Sequence, residues 1–272
     1  MHTPRIFITG GSSGLGRALA QRYARAGWRV CIGDIDDARG AQAVGELRVH
    51  GPEVQYLHCD VTGEADLQTA AEWLQAHWSG VDVVVNNAGV AAAGGIAEMP
   101  MADWNWIVDI NLLGVVRGCK VFTPLFRAQG HGHFVNIASM AGLVHPPKMA
   151  AYNATKAAVV ALSETLKLEL APDGIRTSVV CPSFFRTNIA NAMRAADPEI
   201  EKITHKLVDK ARVGAERIAD QIFRGVGRGD FHILTHTDGK VAWAIKRAAP
   251  YRVFSAMMAR QTRRMGGRPA AN

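Results

Sequence analysis

The sequence predicts a single α/β domain built on a doubly wound parallel sheet. Three observations carry that prediction. Short β-rich runs alternate regularly with longer segments of helical periodicity, the pattern of strand–helix–strand units. The first β-rich run enters a glycine-rich turn that opens a helix. Val83, Val84 and Val85 stand in succession, as suits a central strand buried on both faces.

The first strand, 5–10 (RIFITG), is followed by Thr9-Gly10-Gly11-Ser12-Ser13-Gly14-Leu15-Gly16 and a helix near 15–26. Glycine in such a turn permits positive φ and close approach of the backbone, and the positive helix end holds a phosphate anion. Gly10, Ser12, Ser13, Gly14, Leu15 and Gly16 are therefore candidate phosphate contacts. The spacing is Gly-x-x-x-Gly-x-Gly rather than the common Gly-x-Gly-x-x-Gly, so a ligand-free glycine turn stays open. The second strand, 28–34 (WRVCIGD), ends on Asp34, eighteen residues after Gly16. A dinucleotide-binding fold places an acid there for the adenosine ribose. A carboxylate accepts from both ribose hydroxyls and repels a 2′-phosphate, so NAD is expected in preference to NADP. Asp36 and Asp37 also suit a helix N-terminus, and Arg39 lies near enough to soften the argument.

Strands are predicted at 54–60 (VQYLHCD), 81–87 (VDVVVNN), 133–139 (HFVNIAS), 176–182 (RTSVVCP) and 231–236 (FHILTH). Helices are predicted near 38–50, 64–78, 102–128, 150–171 and 214–228. The stretch from 183 to 212 is longer than a routine connection and is expected to be a lid. It carries Phe184, Phe185, Ile189, Ala190, Ala192 and Met193, which points to an apolar, bulky substrate, or simply to side chains that pack the lid shut. The expected organisation is a dinucleotide-binding and catalytic unit over 1–237 and a basic helical extension over 238–272.

Tyr152 and Lys156 are four apart in the 150–171 helix and so share a face. A phenol titrates near pH ~10 in water, and an adjacent ammonium favours the phenolate, which brings proton transfer at neutral pH within reach. Alone, such a pair is common on exposed helices.

Together these segments resemble the short-chain dehydrogenase/reductase family, over about residues 5 to 188. Thr9 to Gly16 is similar to its glycine motif, Asp60-Val61 to its adenine-contacting pair and Asn86-Asn87-Ala88-Gly89 to its fourth-strand motif. Asn111, Ser139 and Tyr152-Asn153-Ala154-Thr155-Lys156 follow in the family's order. The resemblance implies a Rossmann-like fold and a nicotinamide-dependent oxidoreductase that interconverts a secondary alcohol and a ketone. It also implies that Tyr152 is the acid/base, that Ser139 holds the reacting oxygen, that Lys156 binds the nicotinamide ribose and lowers the phenol's pKa, and that Asn111 holds a linking water. Asp60, Val61, Asn87, Ala88, Gly89, Pro182 and Thr187 become cofactor contacts. One departure stands out: the usual Pro-Gly after the sixth strand is Pro182-Ser183 here. A side chain at Ser183 requires a backbone that avoids positive φ or strains to adopt it.

Composition narrows the alternatives. Hydrophobic residues make up 48% and charged residues 20%, as in a globular protein. Only four residues precede the first strand and no apolar run is long enough to span a bilayer, so a cytoplasmic location is expected. Cys31, Cys59, Cys119 and Cys181 lie in apolar stretches without CxxC spacing and are expected to be reduced packing residues. The ten His residues show no metal-ligand spacing. The formal charge of +7 arises in the tail: residues 240–272 hold eight Lys/Arg and no acid, leaving the rest of the chain at −1. No nucleic-acid partner is expected. The tail is read either as a docked helix pair with a solvated basic face, interrupted at Pro250, or as a peripheral contact with an anionic membrane. Trp104, Trp106, Leu112 and Leu113 lie in the long helix; the resemblance implies that such a helix forms subunit contacts, and hence a homodimer or homotetramer, while a plain buried helix face stays open. The rivals are a double-bond reductase or epimerase-like relative using the same tyrosine, and a non-catalytic dinucleotide-binding scaffold or sensor.

Overall fold

The structure, a computed structural model, describes residues 3–51, 53–187, 189, 193–196, 198–211 and 213–264. In chain order the first half holds β1 (Arg5–Thr9), α1 (Gly14–Ala24), β2 (Arg29–Asp34), α2 (Asp37–Leu47), β3 (Val54–His58), α3 (Glu64–Trp78), β4 (Val83–Asn86) and a two-residue β5 (Ala92–Ala93). There follow α4 (Met101–Val108), a π-helical turn (Asp109–Leu113), α5 (Gly114–Gln129), β6 (Gly132–Ile137), α6 (Ala141–Val144), α7 (Ala150–Glu169) and β7 (Ile175–Cys181). The chain continues through β8 (Arg194–Ala195), α8 (Pro198–Asp209), α9 (Ala215–Arg228), β9 (His232–Leu234), α10 (Thr237–Ala248) and α11 (Tyr251–Arg264).

Seven strands form one sheet in the order β3-β2-β1-β4-β6-β7-β9, every neighbouring pair parallel. This is the predicted doubly wound, Rossmann-like arrangement. The chain winds outward from β1 through β2 to β3, then returns to β4 on β1's other side, so connections leave β1 and β4 in opposite directions. A crevice opens beyond their carboxyl ends. Alternation along each strand builds two cores. Ile6, Ile8, Val83 and Val85 join Leu19, Tyr23 and Ile218 of α1 and α9 on one face; Phe7 and Val84 join Leu74, Phe122 and Val159 of α3, α5 and α7 on the other.

The predicted helix over 102–128 is one rod with a slip in it. The π-helical turn inserts an extra residue and swings Asn111 inward, where it is 0% exposed. The 183–212 connection holds two elements that no strand or helix was assigned to in the sequence. β8 pairs with β5, and Arg186 bridges Gly214. The signal for α8 was present: Asp197-Pro198-Glu199 ahead of apolar residues at three- and four-residue spacing. Ala190 and Ala192 lie outside the described residues. The tail helix divides at Pro250, because the residue before proline is pushed out of the helical region; Ala249 has φ −92° and ψ 151°. Among the described residues no helix is long and apolar enough to cross a membrane.

Candidate active site

The glycine turn caps the crevice with a backbone that only glycine accommodates. Gly10 and Gly14 have φ of +63° and +53°, and a Cβ on Gly10 would lie 2.9 Å from Ala88 Cα. A Cβ on Gly16 would lie 2.1 Å from the Gly10 carbonyl oxygen, so α1 rides directly on the turn. Asn87 pins the turn from β4, donating from Nδ2 to the Thr9 and Gly10 carbonyls (2.8 and 3.1 Å). Ser13 at the N-cap of α1 makes no side-chain cap bond and the first turn holds no acid, which leaves the positive helix end to an anion. These residues fit a pyrophosphate cradle.

Ser12 has a different place from the one expected. It is buried beneath the turn, and its N–H and hydroxyl both donate to Asp34 Oδ2. Asp34 Oδ1 accepts from Asp36 N at 3.3 Å. The carboxylate at the end of β2 is thus oriented by two segments. Asp36 caps α2 and pairs with Arg39 at 2.6 Å, so that guanidinium is already opposed by a carboxylate at the crevice rim.

At the other end of the crevice, Ser139 follows β6, and Tyr152 and Lys156 project from adjacent turns of α7. Burial pushes the Tyr152 phenol up, and a hydrogen bond with Ser139 opposes that shift. The expected lowering by Lys156 does not set its direction, because Lys156 Nζ donates to the Ile137 carbonyl (2.9 Å) and lies 5.9 Å from the phenol ring centre. Lys156 is 4% exposed, and burial lowers its ammonium to about 8. Asn111 Oδ1 accepts from Val90 N (2.8 Å) and Nδ2 donates to Val90 O (2.9 Å), fixing the loop after β4. A methyl placed on Gly89 would stand 3.1 Å from Asn111 Oδ1 and 3.5 Å from Lys156 Nζ, which brings this pair to one spot.

One cleft of about 2690 Å³ runs between these two ends. Gly10, Ser13, Gly14, Leu15, Asp34, Asp60, Val61, Asn87, Ala88, Gly89, Ser139, Tyr152, Lys156, Pro182 and Thr187 all line it; Ser12, Gly16 and Asn111 stand behind its wall. Thr187 Oγ1 would touch a Cβ on Gly14 at 2.9 Å, so the segment after β7 reaches back over the glycine turn. Ser183 does not adopt positive φ, which resolves the departure at that position without strain. Its N–H instead donates to His236 Nδ1 (3.2 Å). Phe184, Phe185 and Ile189 line the cleft, whereas Met193 does not. His236, His145 and Lys246 also line it, and the sequence held no signal for them: isolated His and Lys residues acquire meaning only from what they meet in space.

Comparison with known proteins places this geometry. A dehydrogenase/reductase of CLA biosynthesis from Lactiplantibacillus plantarum is 33% identical over 251 residues, covering 86% of this chain and 88% of its own. A short-chain dehydrogenase/reductase from Burkholderia phymatum, solved in complex with NAD, superposes with a TM-score of 0.86 at 33% identity over 90% of this chain and 94% of that one. A short-chain dehydrogenase from Sphingobium yanoikuyae, solved in complex with NADPH, gives a TM-score of 0.74 at 28% identity over 99% and 98% of the two chains. The family model described as short chain dehydrogenase matches residues 4–198. With the motif order, the sheet order and these relatives in agreement, the chain belongs to the short-chain dehydrogenase/reductase family of oxidoreductases.

Proposed function

We propose that the protein is an NAD(H)-preferring oxidoreductase that interconverts a secondary alcohol and a ketone on an apolar, bulky substrate, with Tyr152 as acid/base. The observation that carries this reading is that Ser139, Tyr152 and, one helical turn on, Lys156 together line a dinucleotide-sized cleft. A bound nicotinamide would supply or accept the hydride at the substrate carbon. Tyr152 would donate its phenolic proton to the carbonyl oxygen in reduction and take it back in oxidation, and Ser139 would hold the same oxygen. A phenol raised by burial stays protonated at neutral pH, which suits the donor role. Lys156 would hold the nicotinamide ribose and Asn111 a linking water. Asp34 would take the adenosine ribose hydroxyls, and Arg39, paired with Asp36, is poorly placed to attract a 2′-phosphate.

Titration with NADH and NADPH, followed by apolar ketones and alcohols at the nicotinamide absorbance, tests the reading. NADH is expected to bind more tightly than NADPH, and Asp34→Ala to narrow that gap. Tyr152→Phe is expected to keep NADH affinity while losing turnover by about 10²–10⁴-fold. Tighter NADPH binding would overturn the cofactor preference. Bound cofactor without turnover of any carbonyl would favour the scaffold.

The domain reading is kept as proposed: residues 1–237 as the catalytic unit, 183–212 as its lid and 238–272 as a basic extension. Phe184 and Phe185 on the cleft wall support the lid. Four buried free cysteines support a reducing, cytoplasmic location. A homodimer or homotetramer is proposed through the α4–α5 face, where Leu113 remains exposed. Peripheral contact with an anionic membrane is supported by Tyr251 and Val253, 75% and 55% exposed, among Lys240, Arg247 and Arg252. Loss of co-sedimentation with anionic liposomes in Arg247→Glu/Arg252→Glu is the expected result; liposomes that never retain the wild type would refute the contact.

A further inference from the structure

α10 is more than an appendage to the sheet: it is fastened to the catalytic loops at three points. At its N-cap, His236 Nδ1 accepts from Ser183 N. In its first turn Gly239 packs on Met140, the neighbour of Ser139, with room for no more than a hydrogen; a Cβ would lie 3.0 Å from the Met140 side chain. In its last turn, Lys246 Nζ donates to the Leu143 carbonyl (2.6 Å) and to His145 Nδ1 (2.8 Å). Because Nδ1 accepts from an ammonium, His145 is neutral there, and its Nε2–H donates to Gly142 O (3.1 Å). His145 holds a φ of 54°, a left-handed conformation that a non-glycine residue keeps only when its surroundings impose it. The loop after Ser139 is therefore bent to present Leu143 O and His145 Nδ1 to one lysine.

That lysine is a cation without an anion. Among the described residues no carboxylate pairs with Lys246; its partners are a carbonyl, a neutral imidazole and, at 5.7 Å, the face of buried Phe254. The ammonium has three protons, and two are used. Val144, Ile245, Phe254 and Met257 line the same cleft, as do the polar Lys148, Asp238 and Ser255. Partial burial also lowers the Lys246 ammonium, which stays in reach of solvent through the cleft. A structural tether needs no charge here, whereas an incoming carboxylate would complete the site with a charge-assisted hydrogen bond.

We infer that Lys246 is the head-group site for a carboxylate carried by an otherwise apolar substrate, so that the protein acts on a long-chain hydroxy or oxo acid rather than a neutral alcohol or ketone. This rests on the oxidoreductase reading above and specifies its substrate. The test is calorimetric binding of decanoate and methyl decanoate to the NADH-bound protein, with Lys246→Met and Lys246→Arg. Decanoate is expected to bind about tenfold or more tightly than its ester, as one charge-assisted hydrogen bond implies. Lys246→Met should abolish that preference with NADH affinity unchanged, and Lys246→Arg should retain it. Equal affinities in the wild type, binding of neither probe, or a preference that survives Lys246→Met would overturn the proposal. If Lys246→Met does not fold, the wild-type comparison and Lys246→Arg still decide. The two readings fail separately: acid preference without reduction of any carbonyl removes the activity and leaves the site, while reduction of neutral ketones without acid preference does the reverse.

Discussion

At the scale of the residue, the site rests on buried polar groups that satisfy one another. Asn111 shows why this matters. Its amide satisfies both backbone groups of Val90 while fully buried, so Asn111→Leu leaves a buried N–H and C=O unpaired. A loss of about 2–4 kcal/mol in urea unfolding is expected, along with lost turnover. Unchanged stability would mean that the loop after β4 can find other partners. Tyr152 makes a prediction of the opposite kind, about chemistry rather than folding. With its phenol raised by burial, alcohol oxidation is expected to climb with pH above neutrality, while carbonyl reduction stays near its maximum at neutral pH. A pH profile of kcat/KM in both directions checks this; oxidation that is flat from neutral to alkaline pH would remove Tyr152 as the base.

At the scale of the element, a buried polar network sets how closely α5 and α7 approach the sheet. Asn86 Nδ2 donates to Asn136 Oδ1 (2.8 Å), and Asn136 Nδ2 donates to Ser163 Oγ (3.0 Å), linking β4 and β6 to the helix that carries Tyr152 and Lys156. Gly118 allows α5 to lie on this network, since a Cβ there would come within 2.1 Å of Asn86 Oδ1. Gly118→Ala is expected to cost about 1–3 kcal/mol, because the intruding methyl must displace α5 or break the Asn86–Asn136 bond. A melting temperature equal to the wild type's would show that the helix shifts freely. None of this network is readable as a motif. Asn86 sits in a recognisable run, but Asn136 and Ser163 are ordinary residues until the sheet brings them together.

At the scale of the whole molecule, stability falls as the medium turns acidic, and His133 and Asp82 explain where. His133 is 1% exposed; its Nε2–H donates to Ser178 Oγ (2.8 Å), which itself donates to the Asp230 carbonyl (2.6 Å). The other ring nitrogen is buried without a partner among the described residues, and burial, with Arg176 nearby, lowers the imidazole to about 4. The folded state resists protonation that the unfolded chain accepts near pH ~6.5, so stability declines from there down to about 4. Asp82 adds to the loss further into acid: burial alone would raise its carboxyl, but hydrogen bonds and charge from Arg5, with a bond from His131, hold it well below the usual range. Its contribution is present above the unfolded carboxylate value and disappears as pH falls through the folded one. Between pH ~7.5 and ~5 the His133 share is about 2 kcal/mol. Urea unfolding at both pH values, on wild type and His133→Gln, measures it; an equal pH dependence in the two proteins would assign the loss elsewhere.

What the amino-acid sequence determined by itself was everything that depends on short-range order. All seven strands of the main sheet and six of its helices lie where their periodicity put them, because burial of a strand or helix face is written at spacings of two and of three to four residues. Tyr152 and Lys156 were legible for the same reason, as neighbours on one helical face, and the glycine turn because strand, turn and helix are contiguous. Tertiary structure decided the rest. It turned Ser12 away from the cleft toward Asp34, slipped a helix at Asn111 and paired β5 with β8 across about a hundred residues. It also set Lys246 against His145, 101 positions away, in the cleft, with no carboxylate beside it among the described residues. An isolated lysine in a basic tail carries no local signal of this kind, because its environment is assembled only when the helix that bears it docks on the loop after Ser139.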